Sequence, residues 1–590
     1  LTVPLFVILV TQSVFLRTQQ PRSRKYFFDF RFASTSLPES SEKLFLTRLA
    51  GKLFSMPEAG AIANRNRSSI HSSLRTAVPR PAEVALAVAS AVLTIFSFPD
   101  FKLAFLAWVG LAPLLIAVVW TSTARRAFFL GWLYGTIFFY GTCWWLTYPM
   151  IHYAHFSAWL AYPLLLLPIM LVGLFPAFFC ALLARVVQRF GPAAICVAPL
   201  IWISVEWLRY VLTGQLWNAL GYSQTFHPML IQSARWGGVY LVSFLIVLAN
   251  AAIASLLLRQ RLFLALASLS LVAIVLLLSS GLLSRQVEIR GRGLNESVTM
   301  IAIQPNVPMD TNGDPQQMRE LLERHLSLST AALNQAQAHS LPRLVIWPES
   351  PMNFSYSRDP KLRETVSNFA RANFTSVLLN SLEPAAVGRD QNSALLINEE
   401  GEIAARYDKI RLMPFGEYVP LPQWLPGASS VRGFVGEFQP GNSFTLMPLG
   451  AFRVGVFICI EAAHPSIART FTHKGADVLI NISNDGYLGP TPVMRQHLSN
   501  AIFRAVENDR DLVRVTNSGI TAYISSTGQA RDETNGFQPE VRTWTVSRRD
   551  AGTTFYSRHG DAFVYGCAWI SLGIISASLM RKRTVSEARA

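Results

Sequence analysis

Between Ala82 and Ser284 the chain runs through one long apolar stretch after another, and that series decides most of what it can fold into. We read seven runs, at about 82–98, 104–120, 127–147, 157–184, 192–213, 236–258 and 262–284. Each approaches the roughly 20 residues a helix needs to cross a bilayer. A single run of this kind can be a buried core helix, but seven in close succession leave no polar face for water. The fourth is long enough to tilt, or to kink at Pro168 or Pro176. An eighth, near 563–580, stands alone after a long polar stretch. The composition, 51% hydrophobic and 15% charged, falls well below the roughly 25% charge of ordinary globular chains and excludes disorder for the bulk of the sequence. The expectation is a multi-span α-helical membrane domain with about 8 transmembrane helices.

Charge gives that domain a direction. The formal net charge of +16 suits nucleic acid or an anionic membrane surface equally well until its location is considered. Basic residues fall on alternate connections: Arg125 and Arg126, Arg185 and Arg189, Arg259 and Arg261, then Arg581, Lys582 and Arg583, with none in 148–156. Short cytoplasmic loops are enriched in Lys and Arg, so these clusters read as inside, together with Arg65, Arg67, Arg75 and Arg80 ahead of the first run. Residues 285–560 then lie outside, and no nucleic-acid partner is expected. Residues 1–55 fit this parity poorly: an apolar run Leu1 to Leu16 precedes Arg17, Arg22, Arg24 and Lys25. We read them as an over-extended start, with Met56 opening the cytoplasmic lead. The expected division is an N-terminal extension with little order at 1–81, seven spans at 82–284, an outer domain at 285–560, a last span at 561–583 and a cytoplasmic tail at 584–590.

In 285–560 short β-branched runs alternate with polar helical stretches, the pattern of an α/β domain. We read strands at 298–304, 344–347, 376–380, 393–398, 403–408, 453–460, 477–482, 513–516 and 521–525, and helices at 315–338, 360–373, 465–474 and 493–508. Four of the 5 cysteines sit in membrane runs, which leaves Cys459 as the domain's one thiol. Without a partner for a disulfide it is either a small buried hydrophobe or a reactive group. It closes the apolar strand Val454-Gly-Val-Phe-Ile-Cys459, and Glu349 closes Leu344-Val-Ile-Trp-Pro-Glu349, while Lys409 follows the strand at 403–408. Three strand ends thus offer an acid, an amine and a thiol, the set covalent acyl chemistry needs for base, oxyanion partner and nucleophile. Taken singly, a strand-end Glu is commonly a helix cap and a Lys a solvated charge.

Together, Trp347-Pro-Glu349, Tyr407-Asp-Lys409 with Pro414-Phe-Gly-Glu417-Tyr-Val-Pro420, and Ile458-Cys459-Ile-Glu461 resemble the Glu-Lys-Cys triad of the nitrilase superfamily. Asn481-Ile-Ser-Asn484-Asp485 resembles that family's segment after the nucleophile. With the spans, and with Glu206-Trp-Leu-Arg209 and Gly221-Tyr-Ser-Gln224, the chain over about 82–583 resembles the apolipoprotein N-acyltransferase family. The resemblance implies an extracytoplasmic nitrilase-like αββα sandwich at the outer face of a bacterial inner membrane, and no cofactor. It implies a ping-pong transfer from a glycerophospholipid, at its sn-1 ester, to the α-amino group of a diacylglyceryl-modified N-terminal cysteine of an apolipoprotein. Cys459 would be the nucleophile, Glu349 the base and Lys409 the oxyanion partner. Glu417 and Glu461 would orient Lys409 and shape the pocket, with Asn484 beside them.

The stretch from Leu412 to Phe438 is apolar for an outer loop, with Trp424, Phe434 and Phe438, and is expected either to form a mobile lid dipping into the membrane surface or to pack on the domain itself. Tyr487 is a further lipid-contact candidate. Three positions depart from the family pattern: Ile460 stands where tyrosine is common, Tyr487-Leu488 where an aromatic pair is common, and no tryptophan occurs between Gln304 and Asp314. The rival enzyme reading is a membrane-tethered amidase that hydrolyses a C–N bond with the same triad. A transporter is a weaker rival, since beyond Glu83 at the start of the first run Glu206 and Arg209 are the only charges inside the runs and can pair as helix neighbours. A Cys-His scheme would use His464, whose place at a helix start points instead to a surface or capping role. No metal-ligand spacing is present.

Overall fold

The computed structural model describes residues 78–580 apart from 154, 291–295, 310–313, 337–340, 386–387, 415, 420–437 and 549–551. Met56, the segment with Trp424 and Phe434, and the Arg581-Lys582-Arg583 cluster lie outside the described residues.

The apolar runs form helices α1 (Pro81–Phe96), α2 (Ala112–Trp120), α3 (Ala124–Cys143), α4 (Ala158–Val172), α5 (Leu174–Phe190), α6 (Ala198–Thr213), α7 (Ala234–Leu257) and α8 (Leu262–Arg290). Among the described residues five stretches are long and apolar enough to cross a membrane: Ala158–Phe190, Pro192–Thr213, Ala234–Leu257, Leu262–Gly281 and Ala562–Leu579. Pro81–Phe96 and Ala104–Trp120 are apolar but shorter. The bounds of the third run are corrected, and the kink expected in the fourth is present near Pro176. The third run starts its helix earlier, at Ala124, because Thr123 accepts the Arg126 N–H as an N-cap, and ends it at Cys143 before a 3-10 turn, Trp144–Leu146. The fourth run breaks at Gly173, where Pro176 has no N–H to return to the carbonyl of Val172. Glycines then let α3 and α5 meet closely: a Cβ on Gly135 would lie 2.9 Å from the Gly173 Cα.

The C-terminal half of α6 corrects another expectation. Among the described residues Glu206 and Arg209 form no ion pair. Glu206 Oε1 accepts from Trp202 Nε1 (3.3 Å) and Leu220 N (3.0 Å). Arg209 donates to the carbonyls of Gln215 (3.4 Å) and Trp217 (2.8 Å). The returning loop brings backbone groups to both side chains, and each satisfies that loop instead of the other.

Twelve strands follow among the described residues: β1 (Ser297–Gln304), β2 (Arg343–Ile346), β3 (Ser376–Pro384), β4 (Asp390–Ile397), β5 (Ile403–Asp408), β6 (Leu446–Leu449), β7 (Phe452–Ile458), β8 (Val478–Ser483), β9 (Leu512–Thr516), β10 (Ala522–Ile524), β11 (Ala530–Arg531) and β12 (Glu540–Ser547). They form two six-stranded sheets, ordered β12-β1-β2-β3-β4-β5 and β11-β10-β9-β8-β7-β6. Helices α9 (Pro315–Gln335) and α10 (Pro360–Asn373) cover the first sheet, and α11 (Pro465–His473) and α12 (Val493–Asn508) the second, before α13 (Ala562–Leu579) ends the described chain. Strand periodicity sorts the core. Met300, Ala302, Leu344 and Ile346 face the second sheet, where Val454, Val456, Ile480 and Ile482 meet them. Their neighbours Ile301, Ile303, Val345 and Trp347 pack with Leu321, Leu333 and Val366 of the helix layer. The layers are therefore helix, sheet, sheet, helix. The strands β6, β11 and β12 were not expected, and β6, β11 and β12 are all at sheet edges.

Candidate active site

The side chains with chemistry gather where strands of the two sheets end. Lys409 follows β5 and is fixed at both backbone groups: its N–H donates to Asn392 O (2.8 Å) and its carbonyl accepts from Gly441 N (2.9 Å). Its side chain is 1% exposed, with Nζ 3.3 Å from Glu349 Oε1 and 2.9 Å from Glu417 Oε2. Burial alone would lower the lysine pKa, but the Glu349 and Glu417 carboxylates override it and hold the ammonium charged. Asn392, in β4, donates to both carboxylates, at 2.9 Å to Glu349 and 2.6 Å to Glu417, and its own amide oxygen accepts from Asn380 (2.7 Å). Glu417 also accepts the Met413 N–H at 2.7 Å.

Cys459 leaves β7 in the left-handed region, φ 52, and opens the 3-10 turn Cys459–Ala463. For a non-glycine residue that conformation costs about 1–2 kcal/mol. Burial first, then the Glu349 carboxylate, raises its thiol pKa, while Lys409 works the other way. Burial and the Glu349 charge thus both favour the protonated thiol. Among the described residues Glu461 makes no hydrogen bond or ion pair with Cys459 or Lys409. Its carboxylate, 0% exposed, accepts Ile410 N (2.8 Å), Arg411 N (3.0 Å), Ile458 N (2.8 Å) and the Tyr407 hydroxyl (2.8 Å). One carboxylate thus locks the backbone after Lys409 to the backbone before Cys459.

The remaining candidates lie apart. Asn484 donates to Met309 Sδ (3.2 Å) and accepts Gly486 N (3.0 Å), shaping the loop after β8, and among the described residues makes no hydrogen bond to the three central groups. Tyr487 stacks on Tyr153, ring centroids 5.3 Å apart, and so ties this loop to the connection before α4. Phe438 is half-buried, its N–H on Glu417 O at 2.9 Å. His464 corrects its expected surface or capping role: it is 5% exposed, makes no cap hydrogen bond, and sets Nδ1 3.4 Å from the Tyr210 hydroxyl. Burial, then Arg411 and Arg504, push its pKa down to about 3. Sequence reasoning missed Asn380, Asn392, His497 and Arg514; a buried Asn inside a strand carries no local signal. A cavity of about 510 Å3 opens nearby, walled by Gln215, Arg411, Leu412, Tyr418, Phe438 and His464. Among the described residues the Arg411 guanidinium has no acidic partner.

An acid, a buried cation and a thiol on adjoining strand ends can carry acyl transfer through a thioester. Comparison with known proteins agrees with the two-part architecture. Residues 90–252 match the apolipoprotein N-acyltransferase N-terminal domain, and residues 298–555 match the carbon-nitrogen hydrolase family. An apolipoprotein N-acyltransferase of Allorhizobium ampelinum is 32% identical, covering 70% of this chain and 78% of that protein. A carbon-nitrogen hydrolase structure from Helicobacter pylori G27 is 18% identical, with a TM-score of 0.33, covering 42% of this chain and 89% of that one. An apolipoprotein N-acyltransferase of Geobacter metallireducens is 32% identical over 86% of this chain and 97% of its own length. The chain belongs to the apolipoprotein N-acyltransferase family.

Proposed function

We propose that the protein moves a fatty acyl chain from a glycerophospholipid to the α-amino group of the diacylglyceryl-modified N-terminal cysteine of an apolipoprotein, through a thioester on Cys459. The observation that carries this reading is the buried Lys409 ammonium, held by Glu349 and Glu417, with both Glu349 and Lys409 near enough to Cys459 for their charges to act on its thiol. Glu349 takes the thiol proton as sulfur bonds to the ester carbonyl. Lys409 faces the negative charge that develops on the carbonyl oxygen. The tetrahedral species expels the glycerol oxygen, which leaves with the proton from Glu349 as lysophospholipid. In the second half the amine attacks the thioester, gives a proton to Glu349, and expels the Cys459 sulfur, which recovers that proton as the amide forms.

The same reading assigns eight spans, with residues 285–560 on the outer face of a bacterial inner membrane. Arg125 and Arg126 open α3, Arg189 ends α5, and Arg259 and Arg261 separate α7 from α8, which supports one cytoplasmic side. The cavity at Arg411, with Phe438 on its wall, takes the donor's phosphate.

Intact mass after incubation with phospholipid alone tests the proposal. The expected result is a fatty-acyl increment on wild type, absent from Cys459→Ala and Glu349→Ala, and discharged by a diacylglyceryl-cysteine peptide. A wild type that acylates lipoprotein yet never carries the increment overturns the thioester. Discharge to water alone, with no amide formed, moves the reading to an amidase.

A further inference from the structure

The nucleophile's own carbonyl is gripped from below. His497, on α12, places Nε2 3.1 Å from the Cys459 carbonyl oxygen and Nδ1 2.8 Å from Asp485 Oδ1. Both partners are acceptors, so the ring makes both bonds only with a hydrogen on each nitrogen. Asp485 is in turn bound by Arg514, Nη2 lying 2.9 Å from Oδ2. Burial would raise the Asp485 pKa, but Arg514 and His497 hold it well below the usual carboxylate range. Arg514 also donates to Asn481 Oδ1, and Asn481 Nδ2 donates to the Phe457 carbonyl (3.2 Å), two residues before Cys459. The chain of bonds therefore leaves the catalytic turn at Cys459 and returns to its strand at Phe457. His497 is 4% exposed, Asp485 3%, and Arg514 and Asn481 0%.

We infer that His497 is a positioning residue for the Cys459–Ile460 peptide unit, fixing which way that unit's C=O and N–H point. A trans peptide sets its C=O and N–H in opposite directions. A carbonyl held toward α12 turns the Ile460 N–H away from α12. In the layer order of this domain, away from α12 is toward the first sheet, whose strand ends carry Glu349 and Lys409. The grip also fixes a turn whose first residue is in the left-handed region, where the backbone would otherwise relax.

The adjacent residue anchors this device to the membrane helices. Gln496 Oε1 accepts from Trp217 Nε1 (2.8 Å) and Trp145 Nε1 (3.1 Å), while its Nε2 donates to the Thr142 carbonyl (2.9 Å). The Trp217 ring lies 5.6 Å from the His497 ring. Two consecutive residues of α12 thus hold the nucleophile's turn on one side and the ends of membrane helices on the other.

The inference rests on Cys459 being the acylated residue. The test uses full-length protein in phospholipid micelles with a radiolabelled acyl donor, and reads two quantities. One is the fraction of enzyme that ever becomes acylated; the other is the acylation rate constant per acylatable site. For His497→Leu the per-site rate should fall about 10–100-fold, with donor KM within about twofold of wild type. His497→Gln, which keeps an N–H for the Cys459 carbonyl, should recover most of that loss. A purely structural histidine would lower the acylatable fraction and leave the per-site rate alone, and that result overturns the inference. Where the leucine variant does not fold, Asp485→Asn replaces it: an unchanged per-site rate there overturns the inference equally. Wild type that never acylates removes the Cys459 reading and this inference together, whereas normal wild type with insensitive variants removes this inference alone.

Discussion

Lys409 shows how much of this site depends on mutual neutralisation. A cation 1% exposed is tolerable only because Glu349 and Glu417 both reach it and Asn392 keeps the two carboxylates in place. Removing one partner leaves a buried charge poorly compensated. Glu417→Ala should therefore cost about 3–5 kcal/mol of stability, read as a lowered midpoint in urea, as well as activity. Glu417→Gln keeps an acceptor oxygen for Nζ and for the Met413 N–H, so its loss should be smaller. Asn392→Ala is the complementary case: it removes no charge, so the midpoint should move little while acyl-enzyme formation slows about tenfold or more. Glu349, Lys409, Glu417, Cys459 and Glu461 were legible because their residue types are conspicuous at strand ends and their spacing resembles a known triad. Asn392 was not, because its role comes from a register, β4 beside β5, that no local pattern announces.

Among the elements, the interior strands read cleanly and the edges did not. Strands β2, β3, β7 and β8 each carry an unbroken stretch of three or more buried apolar residues or glycine, because both of their faces are covered there. β6 contains Pro448, and β12 alternates Glu540, Arg542 and Trp544 with half-exposed neighbours, so neither presents that signature. Helix α9 carries a buried histidine that hydropathy could not flag. His325 Nδ1 lies 2.7 Å from Leu321 O, and burial pushes its pKa down to about 4. With His464 at about 3, two imidazoles fold in the neutral form. Their unfolded value is near 6.5, so as pH falls below it the unfolded chain binds protons that the folded chain refuses. Stability is then lost as pH drops from about 6.5 toward 4, by about 1.4 kcal/mol per unit for each group. Apparent melting temperatures of wild type at pH 7 and pH 5 should differ by more than those of His325→Gln or His464→Gln. Equal differences would show that neither histidine is coupled to folding.

On the scale of the whole molecule, the joint between membrane helices and α/β domain is polar, which is why hydropathy did not disclose it. Along α12, Gln496, Arg504 and Glu507 look toward the membrane part: Arg504 and Glu507 form a fully buried pair at 2.9 Å, and Glu507 accepts the Val239 N–H from α7 at 3.0 Å. Arg235 adds a bond to Asp509 at 3.1 Å. A helix bearing these residues reads as solvent-facing from sequence alone, yet they are the residues that seat the domain. That seating puts the Arg411 cavity against Gln215, just past the end of α6, where a phospholipid headgroup would stand if α6 spans the bilayer. An exposed cation contributes modestly to binding a phosphate and does so through a field that salt screens. Reversing it adds repulsion, so Arg411→Glu should raise KM for the phospholipid donor about threefold to tenfold, with kcat nearly unchanged. The diacylglyceryl peptide acceptor carries no phosphate, and its KM should stay put. Initial rates in mixed micelles at low and high salt separate these cases: an effect that vanishes on the acceptor and shrinks with salt places the phosphate at Arg411, and an equal effect on both substrates overturns that placement.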